Sequence, residues 1–426
     1  MNRYLFITTF LGCSLFGYNN PCVDIHFSPY SGAENFLFLE KSLEQIDDLL
    51  FSISDTRLES LRHFLNLSEI PSEEQWLRKA KLLLFWAPFN FSCAVTQHEV
   101  FGHGYRVRDL GDKYAQVTGY GMYVVAGFTK MTLSNELTTS QMLTIDIAGL
   151  EADSILTNRL RMKWLNSGEM DGREFSLYAL SSLTFTNYTW LVHNNPTSAA
   201  DSWNDISSFL FYLHKTYPDT NLGYINLRNL ALLNLLDPFL FSVLLSNFLY
   251  TTYGFVGPVP MFQIGPIEYL PSFRLALTPF GLQGYLENFF LINKIPTYFY
   301  VKWGKNGQNI YYGAGLENRK LIQWKSGALG LRFDIWHQPR VLFEQGLFSV
   351  LELQEMEAPV ITPPLYPDSV LYEKITGAAC SVISSYEPSR LPLKLFMQLG
   401  YKTDGYLPGE ALRSAPLARG GISGRF

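Results

Sequence analysis

The feature that most constrains this 426-residue chain is a change of hydrophobic period near Gly257. Beyond it, apolar residues recur at every second position. Leu329, Leu331, Phe333 and Ile335 alternate with Gly330, Arg332, Asp334 and Trp336; Leu393, Leu395, Met397, Leu399 and Tyr401 alternate with Lys394, Phe396, Gln398, Gly400 and Lys402. Period two sends successive side chains to opposite faces, so each segment predicts a strand with one apolar and one polar or small face. Tyr298–Trp303 and Ile310–Leu316 flank Lys305-Asn306-Gly307, and Asn-Gly between apolar runs predicts a hairpin. Ser272–Thr278, Leu282–Ile292, Lys374–Ser384 and Arg419–Phe426 extend the series. Roughly eight to ten strands are enough to close a small barrel. A soluble antiparallel sheet packed on helices satisfies the same alternation, so both architectures stand open.

Before Gly257 the period is helical. Leu43, Ile46, Leu49 and Leu50, then Leu58, Leu61 and Leu65, keep the three-and-four spacing of amphipathic helices, as does Gln141–Leu165. Pro71-Ser72-Glu73-Glu74 opens a helix that turns apolar at Leu82–Trp86. Leu227–Phe255 is long and apolar, but Asp237-Pro238 interrupts it. That pair reads as a helix start, with Asp as cap and Pro first in the helix, giving two buried helices or one kinked membrane helix. The expected fold class is therefore α+β: a helical domain over 18–256 and an antiparallel β domain over 257–426, a barrel or barrel-like sheet.

Composition narrows the function classes. Charged residues are 17% of the chain, below the roughly 25% usual in soluble domains, and aromatics reach 15%. This much apolar surface excludes disorder. A net charge of −5 without a Lys/Arg cluster argues against nucleic acid. Arg3, the apolar run Tyr4–Phe16 and the break at Tyr18–Pro21 read as a secretory signal over 1–17, or else as a buried N-terminal element. After its removal Cys22, Cys93 and Cys380 cannot all pair, and no Cys-x-x-Cys motif supports a structural zinc finger. Phosphate-loop, nucleophile-elbow and dinucleotide motifs are missing from the sequence.

Chemistry concentrates at Gln97-His98-Glu99-Val100-Phe101-Gly102-His103-Gly104, which holds two of the chain's 7 histidines. The common zinc-protease helix spaces its histidines four apart. Here the spacing is five, which on a straight α-helix turns the second ring about 140° from the first. A one-residue bulge would realign them, and Gly102 makes such a distortion less costly. Burying two histidines and Glu99 after the apolar approach Leu82–Val95 is costly unless something pairs with them. The bland alternative is a set of polar residues satisfied within a core.

His98-Glu99-Val100-Phe101-Gly102-His103 resembles the H-E-x-x-G-H zinc motif of dipeptidyl peptidase III metallopeptidases. In that family both histidines bind zinc, the Glu is the general base, and a later helix supplies a Glu ligand. Gly149-Leu150-Glu151-Ala152-Asp153 begins that match here, with Glu151 48 residues after His103. Glu followed by Ala-Asp is also similar to the third-ligand helix of other Glu-zincins. The match covers two short segments and carries only zinc chemistry. Separately, the C-terminal Phe426 resembles the aromatic last residue of bacterial outer-membrane barrels. Together these imply one zinc ion held by His98, His103 and Glu151, with Glu99 activating water. Asp153 or Asp146 would accept from a ligand imidazole. Tyr105, Arg106 and His193 are further candidates for charge stabilisation, each with an ordinary reading as a helix end or turn. Gly119–Tyr123 reads as a substrate-edge strand or a flexible loop, and His337 as a barrel-rim or turn residue.

The expected protein is an exported zinc hydrolase of the metallopeptidase type, acting on a peptide or protein at the bacterial outer membrane or in the periplasm. A non-catalytic outer-membrane barrel with a structural His/Glu cluster and an intramembrane metalloprotease are the alternatives.

Overall fold

The computed structural model describes residues 22–24, 27–65, 71–123, 126–193, 204–343, 372–387 and 393–424. The expected signal segment 1–17 and the terminal Phe426 lie outside the described residues. The helices are α1 (Pro29–Leu65), α2 (Pro71–Lys81), α3 (Ala87–Thr96), α4 (Gly104–Leu110), α5 (Thr139–Asp146), α6 (Ala148–Ser167), α7 (Phe175–Leu191), α8 (Asp205–Thr216), α9 (Tyr224–Ala231) and α10 (Pro238–Tyr253). Two π-helical turns, Leu82–Trp86 and Gln97–His103, connect α2 to α3 and α3 to α4. Asp237 caps α10 by accepting from the Phe239 amide, and Pro238 fills the first helical position, where a missing N–H costs nothing.

The strands are β1 (Cys22–Val23), β2 (Ala115–Met122), β3 (Gly127–Leu133), β4 (Glu169–Met170), β5 (Gly257–Pro258), β6 (Phe262–Ile264), β7 (Ile267–Thr278), β8 (Gly281–Ile292), β9 (Ile295–Asn306), β10 (Asn309–Trp324), β11 (Gly327–Pro339), β12 (Lys374–Tyr386), β13 (Leu393–Lys402) and β14 (Ala415–Gly424). β6 to β14 form an antiparallel meander, and β1 adds to its far edge by pairing Cys22 with Gly421. The β9–β10 turn takes Gly307 to φ 54°, as its Asn-Gly sequence predicts. The end strands β1 and β6 do not pair with each other among the described residues, so the sheet stands open. Mixed helix and antiparallel sheet is thus observed; a closed barrel is not.

The alternation found in the sequence does not bury the apolar face. Leu286, Phe299, Val301, Phe333, Ile335 and Val382 are exposed, whereas Glu287, Lys302, Arg332, Asp334, Gln398 and Lys402 are buried. Buried charge is costly unless paired; Lys302 Nζ has no hydrogen-bond partner among the described residues, but ion pairs elsewhere join the sheet to the helices. From α6, Arg159 Nη1 reaches Glu317 Oε1 on β10 at 2.5 Å, and Arg161 Nη1 reaches Glu287 Oε2 on β8 at 2.5 Å. On the sheet, Arg332 bridges Asp334 at 2.9 Å and Glu410 at 2.8 Å. Two larger apolar cores accompany these pairs: one gathers Val107, Leu143, Leu210 and Leu277, another Leu156, Trp164, Phe239 and Phe289. Residues from both sides of Gly257 share each core, so the two halves are interlocked rather than separately folded.

Candidate metal centre

The approach α3 ends in the π turn Gln97–His103, where Gly104 N–H donates to Glu99 O, a five-residue step. This is the distortion that the spacing of His98 and His103 demands. Close packing against the start of α6 fixes it. A Cβ on Gly102 would lie 2.7 Å from both Ala148 O and Gly149 Cα, so Gly102 admits the α6 backbone. The Gln97 amide donates to Pro29 O and Ala152 O, each at 2.9 Å, tying the turn to α1 and α6.

Three acceptor atoms then converge. His98 Nε2 lies 3.2 Å from His103 Nε2 and 3.0 Å from Asp205 Oδ2; His103 Nε2 lies 3.3 Å from the same oxygen. A tetrahedral ion with bonds of about 2.0–2.1 Å needs ligand–ligand edges of about 3.3–3.4 Å, close to this triangle. The other ring nitrogens are committed. His98 Nδ1 is 2.8 Å from Asp153 Oδ2, and His103 Nδ1 is 2.8 Å from Ile145 O. With Nδ1 donating in each ring, both Nε2 lone pairs and the Asp205 carboxylate face one point, an arrangement that repels unless a cation or protons fill it. His98, His103 and Asp205 are therefore a group that could hold a metal ion.

The electrostatics agree. Burial pulls His98 down, but Asp153 and the bonds to Asp153 and Asp205 outweigh it and raise it well above the imidazole range. Burial likewise opposes His103, and Asp205 raises it. Asp205 is lowered by the two imidazoles although burial pushes it up. An ion bound there would compete with protons for both imidazoles.

A chamber of about 630 Å³ opens on these residues. Glu99 lines it beside the first histidine, and the Thr129 hydroxyl donates to Glu99 Oε2 at 2.7 Å from β3. Asp146 also lines it, accepting from Ser208 at 2.8 Å; its second oxygen is buried without a hydrogen-bond partner. Burial, opposed by Ser208 and reinforced by Asp205, raises Asp146 well above the carboxylate range. The Tyr188 ring stands 5.5 Å from that of His98. The His98 charge lowers Tyr188, but burial and the carboxylates around it prevail and push it up to about 12, so it remains a phenol donor. Apolar walls come from Val95, Phe128, Met131, Met142 and Leu180.

The structure brings together His98, His103, Glu99, Asp153 and Asp146. It does not bring Glu151, expected as the third ligand. Both Glu151 oxygens accept from Arg106 Nη2, at 2.8 and 3.1 Å, and further bonds come from Gly409 N and from Tyr406 at 3.2 Å. Arg106, expected near an oxyanion, is spent on Glu151, on Asp109 and on the Glu410 carbonyl. Tyr105 lines a separate cavity with Asp24 and Arg419. His193 is exposed beyond the end of α7 and does not line the chamber. The residue missed by sequence reasoning is Asp205. Its local signal is a helix start: Asn204 caps α8 in a reciprocal box with Ser207, placing Asp205 at the first helical position. Nothing in that signal points 102 residues back to His103.

Glu40, Glu44 and Glu174 form a second buried acidic group. There Lys163 already serves as the cation, contacting Glu174 and lying 3.7 Å from Glu44 and 3.9 Å from Glu40. No family model, curated protein or solved structure matches the chain, so the site rests on its own geometry.

Proposed function

We propose that the protein is a zinc-dependent hydrolase of the metallopeptidase type, with His98, His103 and Asp205 as ligands and Glu99 as general base. One observation carries this reading: the convergence of His98 Nε2, His103 Nε2 and Asp205 Oδ2, with both opposite ring nitrogens already held. Zinc bound there would polarise a substrate carbonyl and acidify a neighbouring water. The chain's own groups supply the remaining chemistry. Asp153 and Ile145 O orient the two rings and fix their tautomers. Glu99, aimed by Thr129, is the group beside the first ligand that can accept a proton from water and return it to a leaving amine. Tyr188, whose ring stands beside His98 in the chamber, would be the donor to a developing oxyanion. The mixed polar and apolar walls suit a peptide or amide with an apolar side chain.

The test pairs metal content with turnover. Protein purified in the presence of zinc should hold one ion per chain, and Glu99→Gln should keep it while losing roughly 10²–10⁴-fold in cleavage of a quenched-fluorescence peptide library. A non-catalytic β protein predicts no stoichiometric metal. That result would end the enzyme reading.

A further inference from the structure

We infer that the apolar outer wall of this protein, sheet and helix together, is a contact surface for the acyl chains of a lipid bilayer. The inference is independent of the metal chemistry. Strand after strand from β8 to β13 turns apolar side chains outward, among them Leu286, Trp303, Tyr312, Ile335 and Met397, while charged partners lie on the inner face. A soluble sheet does the reverse, because an apolar patch this extensive is unfavourable in water. Lengths also fit. β8 and β9 have 12 residues each and β11 and β12 have 13; about 9–11 residues cross a bilayer at a tilt.

The wall does not stop at the sheet. β6 pairs with only the first residues of β7, leaving the rest of that edge open. At that edge the Asn234 side chain stands in for a strand, donating to Leu275 O at 3.1 Å and accepting from Leu275 N at 2.8 Å. Asn234 lies in the short 3₁₀ turn between α9 and α10, so it anchors that helical pair to the edge. α10 carries no charged residue. Its exposed Phe241, Leu244, Leu245 and Phe248 fall three and four apart, forming one stripe facing away from the core. Leu236, 67% exposed, continues the stripe into the turn. Among the described residues no single helix is long and apolar enough to cross a membrane, but the pair Tyr224–Leu236 and Pro238–Tyr253, bent by 56°, meets that measure jointly. A second copy of the chain would cover one face. Apolar surface that runs across successive strands and on to a bent helical pair fits a surrounding solvent better, and a bilayer is such a solvent provided that the helical pair, not lipid, covers the unpaired β7 edge.

The experiment uses the full chain in vesicles of palmitoyl-oleoyl-phosphatidylcholine, with and without a dibrominated acyl-chain analogue that quenches tryptophan on contact. Three single-tryptophan forms are compared: one retaining Trp303 on the outer sheet face, one carrying only the substitution Phe248→Trp on the α10 stripe, and one retaining the buried Trp164. Brominated lipid should quench the first two roughly twofold or more and leave the third nearly unchanged, as for lipid-facing and interior positions. Wild type against Trp303→Phe gives the same contrast if the multiply substituted forms do not fold. A detergent-free, water-soluble oligomer would overturn the inference, since a second copy would then cover the wall. Quenching at Trp303 without quenching of Phe248→Trp would overturn the helical part.

Discussion

Gly149→Ala is the substitution that most sharply separates a metal centre from a satisfied polar core. Gly149 sits in the first turn of α6, where alanine would ordinarily stabilise a helix by roughly 0.5–1 kcal/mol. Here its Cβ would land on the His98 ring, 2.5 Å from Cδ2 and nearer still to Nε2. Ordinary contact begins at 3.4 Å, so the ring must retreat by about 1.2 Å at Nε2, its nearest atom. Metal–ligand bonds tolerate deviations of only about 0.2 Å. The His98 ring is also held at Nδ1 by Asp153 at 2.8 Å and flanked by Tyr188, so it cannot move away while keeping Nε2 aimed at the site. The variant should bind zinc at least about 100-fold more weakly, which is about 2.8 kcal/mol. Competition against a chromogenic chelator measures this, with thermal unfolding of the apo form recorded in parallel. Unchanged zinc affinity in a folded variant would refute the placement of His98 as a ligand.

Other outcomes follow from the same structure. Glu151→Gln should retain stoichiometric zinc yet lose stability, by less than the roughly 3–5 kcal/mol of an unpaired buried charge, because Asp109 still pairs with Arg106 at 2.8 Å; zinc loss with unchanged denaturant midpoint would contradict the Arg106 assignment. Asn234→Ala, which orphans both backbone groups of Leu275, should cost about 1–3 kcal/mol in chemical denaturation, and no change would mean the β7 edge is sealed otherwise. Burial, partly countered by Lys163 and reinforced by Glu174, pushes Glu44 up from the ordinary 4.5 of a glutamate to about 7. The folded state therefore holds that proton more tightly than the unfolded chain, so its contribution is full below about 4.5 and is lost as pH rises through about 7. Unfolding free energy should decline across that window, less steeply in Glu44→Gln; equal slopes would contradict the assignment.

Local patterns proved readable where one element determines them. Asn306-Gly307 marks a hairpin because the turn needs positive φ, and Asp237-Pro238 marks a helix start because the cap and the missing N–H are both local. The five-residue spacing of His98 and His103 required a bulge, and the π turn supplies it. The alternation of Leu329 to Trp336 located a strand, but which face is buried depends on Arg159, Arg161 and the other partners brought in from α6. The ligand set failed in part for the same reason. Glu151 and Asp153 are two apart on one helix and so point about 200° apart; only one can meet His98, and Asp153 does. With Asp153 taken as the acceptor behind the imidazole, Glu151 had to face elsewhere, towards Arg106. Asp205 comes from a helix distant in sequence, and only the fold brings it beside His98 and His103.

The most direct test of the metal centre is X-ray absorption at the zinc edge of protein loaded to one ion per chain. The predicted spectrum shows nitrogen and oxygen donors at about 2.0–2.1 Å, no sulfur, and the outer scattering of two imidazoles. Failure to load one zinc per chain, or a spectrum with fewer than two imidazoles, would contradict the site built from His98, His103 and Asp205.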